Sequence, residues 1–117
     1  MTTPKVIWII DGEQWPRALL RAELIERGFD AVGYLTVRDA IDSLPERRPD
    51  VIVVDLRGQV PRLVERLRRL AVPIVVIGGA VELAEVAGKE EWSAVLRRPV
   101  SIGEIARTAA VLAESDA

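Results

Sequence analysis

The sequence predicts an α/β fold: one doubly wound unit built on a five-stranded parallel sheet in the strand order 2-1-3-4-5. Three observations carry that expectation. The runs Val6-Ile7-Trp8-Ile9-Ile10, Val51-Ile52-Val53-Val54 and Ile74-Val75-Val76-Ile77 are apolar and largely β-branched, without alternation, as in strands covered on both faces. Segments with helical spacing lie between them. The 117 residues suffice for one core but not two, so residues 1–117 are expected to form a single domain with its core over about 5–113.

The elements follow in order. Val6–Ile10 is the first strand. Pro16–Arg27 is the first helix, because Leu20, Leu24 and Ile25 form a stripe, Pro16 suits a first turn and Gly28 supplies a stop. Ala31–Val37 is a weaker second strand, and Val37–Leu44 a short helix that must end near Pro45. After the third strand, Pro61–Leu70 carries Leu63, Val64, Leu67 and Leu70 at helical spacing. Val81–Ala87 is the fourth helix and Ala94–Leu96 the fifth strand. The last helix is Ser101–Ala113, where Ser101 and Glu104 have capping-box spacing. The tail 114–117 is expected to fray. Alternating β and α elements with right-handed crossovers favour the stated strand order.

Composition narrows the chemistry. Half the residues are hydrophobic and 29% are charged, which is globular composition. There is no Cys, so disulfides, thiolate nucleophiles and zinc–sulfur sites are excluded. There is no His, which removes the Ser-His-Asp triad and imidazole ligands. Any site must use carboxylates, hydroxyls, Arg, backbone groups or a hard cation. The net charge of −2 argues against a nucleic-acid partner. No apolar run approaches the roughly 20 residues of a membrane span, and Met1–Lys5 is too short and polar to open a signal peptide. A cytoplasmic location is expected.

In a sheet of this order, ligands bind beyond the carboxyl ends of the strands, where the order reverses, between the first and third strands. Asp11 follows the first of these strands and Asp55 the second. Either Asp alone reads more readily as a loop or helix cap. Two carboxylates at this crevice instead call for water, donors or a cation. A hard divalent cation such as Mg²⁺ favours one or two carboxylates with retained waters. Beside Asp55 it would also offset the charge of an incoming phosphoryl group, leaving that carboxylate as nucleophile.

Asp11, the segment PDVIVVDL ending near Asp55, PIVVIGGA for the fourth strand and AVLRRPV for the fifth together resemble the receiver domain of response regulators, a flavodoxin-like fold. The stretch Leu20–Leu56 is also similar to that pattern, and the resemblance spans residues 5–113. It implies that Asp55 is the phosphoacceptor. The acidic pair after the first strand falls on Asp11 and Gly12, so only one acid remains. The hydroxyl residue that ends the fourth strand falls on Gly78, and the Lys before Pro in the fifth strand on Arg98. The aromatic switch residue falls near Val95, and the loop after Asp55 is short, reaching Pro61 quickly.

These departures imply a degenerate, pseudo-receiver site. Metal binding by Asp11 and Asp55 should be weak unless Glu13 turns inward as a further ligand. Gly78 has no hydroxyl to give a phosphoryl group. Arg98 keeps a positive charge, but as a planar fork, and without metal it would pair directly with Asp55. Gly78-Gly79 also offers backbone N–H groups to an anion, although no phosphate fingerprint surrounds it. Trp8 reads as core and Trp92 as a lid on the core's end, whereas Trp15, near the crevice mouth, is a candidate partner contact. Arg62, Arg66, Arg68 and Arg69 make the third helix basic around Glu65, which reads first as a solvated face.

The expected function is therefore a receiver-like module of a two-component phosphorelay. Its expected partners are a histidine kinase or another signalling protein, and a second copy through the face of helix four, strand five and helix five. The alternatives are a phosphorylation-independent interaction or dimerisation module and, less favoured, a small flavodoxin-like ligand binder.

Overall fold

The computed structural model describes residues 3–86, 88 and 91–115. Its elements are β1 (Val6–Ile10), α1 (Gln14–Glu26), β2 (Asp30–Tyr34), α2 (Val37–Asp42), β3 (Val51–Asp55), α3 (Pro61–Arg66), β4 (Ile74–Gly78), α4 (Ala80–Glu85), β5 (Ala94–Arg97) and α5 (Ile102–Glu114). A short 3₁₀ turn, Leu67–Leu70, prolongs α3. All strand pairs are parallel, and the sheet order is β2-β1-β3-β4-β5.

The unbroken apolar strands arise because both sheet faces are covered. Ile7 and Ile9 of β1, Val51 and Val53 of β3, and Val75 and Ile77 of β4 pack with Leu20 and Leu24 of α1 and with α5. Ala106, Ala109 and Ala113 make the buried side of α5 small. The alternate residues Trp8, Ile10, Ile52, Val54, Ile74 and Val76 face the other way, against α2, α3 and α4. Complete burial of each Val or Ile contributes about 1.5–3 kcal/mol, so the three inner strands anchor the fold. Trp8 is fully buried, its indole N–H donates to the Arg47 carbonyl at 2.9 Å, and its ring meets Tyr34 edge-on at 5.4 Å. Trp92 is buried in the same layer.

Several boundaries differ from the sequence expectation. β2 ends at Tyr34, not Val37, because the Thr36 hydroxyl accepts the Asp39 N–H and caps α2, leaving Val37 as a buried helical residue. α1 begins two residues before Pro16, which still lies in its first turn. Gly28, at φ +95°, provides the expected stop. The Ser101 hydroxyl caps α5 by accepting the Glu104 N–H at 3.1 Å. α4 runs Ala80–Glu85; Ala87, where the sequence placed its end, lies outside the described residues, as do residues 116 and 117 of the tail.

Candidate functional site

The register sets Ile10 of β1 beside Val54 of β3, so the chain delivers Asp11 and Asp55 to the same end of neighbouring strands. Both line one cavity, and both are buried, at 6% and 7% exposed, although neither is in the apolar layers. They are the only polar or charged side chains buried to this degree among the described residues. Each is anchored locally by the same turn: Asp11 Oδ1 accepts the Glu13 N–H at 2.8 Å, and Asp55 Oδ1 accepts the Arg57 N–H at 3.0 Å. This is the two-residue backbone grip that Asp makes at turns. By itself it accounts for half of one carboxylate and no net charge.

The remaining charge is met by arginine. Arg98, just beyond β5, donates from Nη1 to both Asp55 oxygens at 2.7 Å. Its Nη2 donates to Glu82 Oε1. Burial works against the Arg98 charge, but the hydrogen bond and charge of Asp55, with Glu82 and Asp11 behind them, hold the guanidinium above its ordinary range. The Asp11 carboxyl is pushed up, chiefly by burial; the Glu13 N–H works the other way, and the nearby Asp55 charge adds to the rise.

Two participants carry no mark in the sequence expectation. Glu82, in the first turn of α4, accepts the Gly79 N–H at 2.7 Å through the same Oε1 that holds Arg98. A Cβ added to Gly78 would lie 3.3 Å from that oxygen, so Glu82 occupies the space a side chain at Gly78 would need. The Gly79 N–H, which the sequence offered to an anion, is met here by the chain's own Glu82 carboxylate, and Gly78, the last residue of β4, accepts the Arg98 N–H at its carbonyl at 3.0 Å. The Gly-x-x-Glu spacing at a helix start was the available signal for Glu82. The second is Arg57. Its Nη2 lies 2.7 Å from Glu13 Oε1 and 3.8 Å from Asp55 Oδ2.

Asp11 and Asp55 are the two carboxylates that could hold a hard cation such as Mg²⁺. No group of three or more acids able to hold an ion occurs among the described residues. The Glu13 carboxylate, which the sequence offered as a further ligand, pairs here with Arg57. An ion at Asp11 and Asp55 would also face the Arg57 guanidinium and would have to draw Asp55 from Arg98. Trp15 lies in the first turn of α1, is 74% exposed and borders the cavity, as the sequence suggested.

Strand order and crevice together define a doubly wound α/β domain with its site at the switch point of the sheet. The chain is similar to a response regulator receiver protein from Pseudomonas putida at 25% identity and a TM-score of 0.78, covering 95% of this chain and 99% of that one. It is similar to a receiver protein from Burkholderia phymatum at 24% identity and TM-score 0.74, covering 97% and 98%. The receiver domain of NtrX from Brucella abortus matches at 17% identity and TM-score 0.77, covering 94% and 99%. The chain has the fold of response-regulator receiver domains. No protein-family model and no curated protein matches the sequence.

Proposed function

We propose that the protein is a receiver-like signalling module that acts by protein–protein contact, with its phosphorylation crevice filled by its own charged side chains. Asp55 stands at the phosphoacceptor position. The observation that carries the reading is Arg98 spanning Asp55 and Glu82. In the receiver pattern, a cation before Pro and a hydroxyl at the end of the fourth strand meet the phosphoryl group. Here the cation is Arg98, and the corner beside Gly78 and the Gly79 N–H holds the Glu82 carboxylate.

Glu82 thereby supplies a resident negative charge where a phosphoryl group would bring one, and Arg57 supplies positive charge where a metal would. An incoming phosphoryl dianion would have to displace Glu82 from Arg98 and from a backbone donor, without a tightly held divalent ion in compensation. A ligand shifts a conformational equilibrium only through contacts that differ between the states. Because these contacts are already made, binding to a histidine kinase or another signalling protein depends on the resting surface. That surface includes Trp15 and the α4–β5–α5 face, where Val81 and Val95 are exposed. A second copy docking on the latter face is part of the same reading, as is a cytoplasmic setting without nucleic acid.

The test is treatment with acetyl phosphate and Mg²⁺ followed by intact mass measurement. The expected result is little or no phosphorylated protein. Near-complete incorporation that disappears in Asp55→Asn would overturn the reading and restore an ordinary receiver.

A further inference from the structure

The crevice lined by Asp11 and Asp55 continues into an apolar cavity toward α1 and α5, and the signalling reading uses only its charged end and Trp15. Its volume is about 340 Å³, and Trp15, Leu19, Ile102 and Ile105 are among its walls. That volume lies at the small end of the range for ligand pockets, roughly 300–1,000 Å³. Its charged lining is Asp11, Glu13, Asp55, Arg57 and Arg98. Asp55 is held by Arg98 through both oxygens, and Glu13 by Arg57. Arg98 gives its other arm to Glu82, outside the cavity lining. Asp11 is what remains. Its carboxylate accepts the Glu13 N–H through Oδ1 and makes no ion pair among the described residues. Arg17 comes close but donates to the Asp11 carbonyl, at 2.7 Å.

We propose that this cavity binds a small organic cation, an ammonium group on an aryl or branched alkyl body, with Asp11 as its counter-charge. Three acids line the cavity against two arginines, both in ion pairs, and although Arg57 Nε has no hydrogen-bond partner among the described residues, an anionic ligand would meet net repulsion. A neutral ligand would strip water from the Asp11 carboxylate and return at most a hydrogen bond, without a counter-charge. A bare divalent ion would gain nothing from apolar walls, whereas a hydrophobic ammonium matches both parts of the cavity. Trp15, at the mouth, offers apolar surface and a ring face suited to a cation. The cation site requires Asp55 to stay paired with Arg98, as in the proposed resting state, and amine binding to the unphosphorylated chain is read independently of phosphoryl transfer.

The test is titration of the full chain with phenethylamine hydrochloride, with phenethyl alcohol and hydrocinnamate as neutral and anionic counterparts. Binding is followed by heteronuclear NMR at the Trp15 indole and the Glu13 amide, and by calorimetry. The expected result is saturable binding of the amine, about tenfold tighter than the alcohol, as for one hydrogen bond to a charged group, with the acid weakest. Asp11→Asn retains an oxygen for the Glu13 N–H and should abolish the amine's advantage while leaving the alcohol unchanged. Trp15→Ala, at an exposed position, should weaken both, and the amine more than the alcohol, because the ring face favours a cation. Equal affinity for amine and alcohol, preference for the acid, no saturable binding of the amine, or an undiminished advantage in Asp11→Asn would each overturn the proposal. If Asp11→Asn loses its native spectrum, the ratio of amine to alcohol in the unaltered protein decides.

Discussion

The two ends of the sheet use the same residue types to different effect. At the amino-terminal end, Asp50 Oδ2 accepts the Val6 N–H at 2.7 Å, and Arg47 reaches Asp30 at 3.4 Å with both side chains about half exposed, at 51% and 46%. At the carboxyl end, Asp55 pairs with Arg98 at 2.7 Å, with the side chains 9% and 25% exposed. Water already solvates the first set, so each pair there fastens a strand end and little more. In the second set the charges have lost much of their water and must satisfy one another. Arrangement of charge acquires consequences where burial removes the alternative partner, and this difference separates a candidate site from a surface.

That contrast gives its largest expected effect in stability. Arg98→Ala leaves Asp55 buried with only the Arg57 backbone donor and a more distant guanidinium, and should cost about 2 kcal/mol, below the full buried-pair value because Arg98 is partly solvated. Arg47→Ala should cost no more than about 0.5 kcal/mol. Urea unfolding of the two variants measures both, and equal costs would erase the distinction between the ends.

A smaller effect concerns metal. Removing the cation in Arg57→Ala frees the Glu13 carboxylate and lifts repulsion from the crevice, so Mg²⁺ affinity should rise by about tenfold from a weak starting value. Calorimetry in parallel with Arg47→Ala sharpens the comparison, since the amino-terminal variant should show no gain. An unchanged affinity in Arg57→Ala would mean that Arg57 does not act in place of a metal.

The smallest effect is a pH dependence. Burial raises the Asp11 carboxyl above its ordinary value of 3.8, so the folded state holds that proton more tightly than the unfolded chain does. Stability attributable to Asp11 therefore falls as pH rises from the ordinary value through the raised one. Asp11→Asn should be more stable than the parent at neutral pH, with the advantage shrinking to nothing in acid below that window. Thermal unfolding from acid to neutral pH gives the curve, and an advantage that grew in acid would have the wrong sign.

How much of this the sequence could carry depends on the range of the interactions. The sheet was legible because Val51–Val54 and Ile74–Ile77 could bury unbroken apolar runs only between two helical layers. The joint position of Asp11 and Asp55 was legible because strand order fixes which strand ends are neighbours. The pairing of Arg98 with Asp55 followed from the receiver resemblance. The end of β2 was not legible: Val37 has the composition of a strand, but the Thr36 cap claims it for α2. Arg57 and Glu82 were missed for a related reason. A loop arginine and a helical glutamate look like solvated charges until the tertiary structure sets Glu13 beside the first and Arg98 beside the second. Long side chains choose partners across distances that local pattern does not encode.

The central claim is that Glu82 holds the place of an incoming phosphoryl group. Heteronuclear NMR during titration with beryllofluoride and Mg²⁺ tests it most directly, comparing the unaltered protein with Glu82→Ala at the amides of Gly79, Val81 and Leu83. The expected result is small, unsaturated shifts in the unaltered protein and saturable shifts in Glu82→Ala, at an affinity about tenfold tighter. Large saturable shifts from Asp55 through α4 in the unaltered protein, with Glu82 intact, would contradict the account.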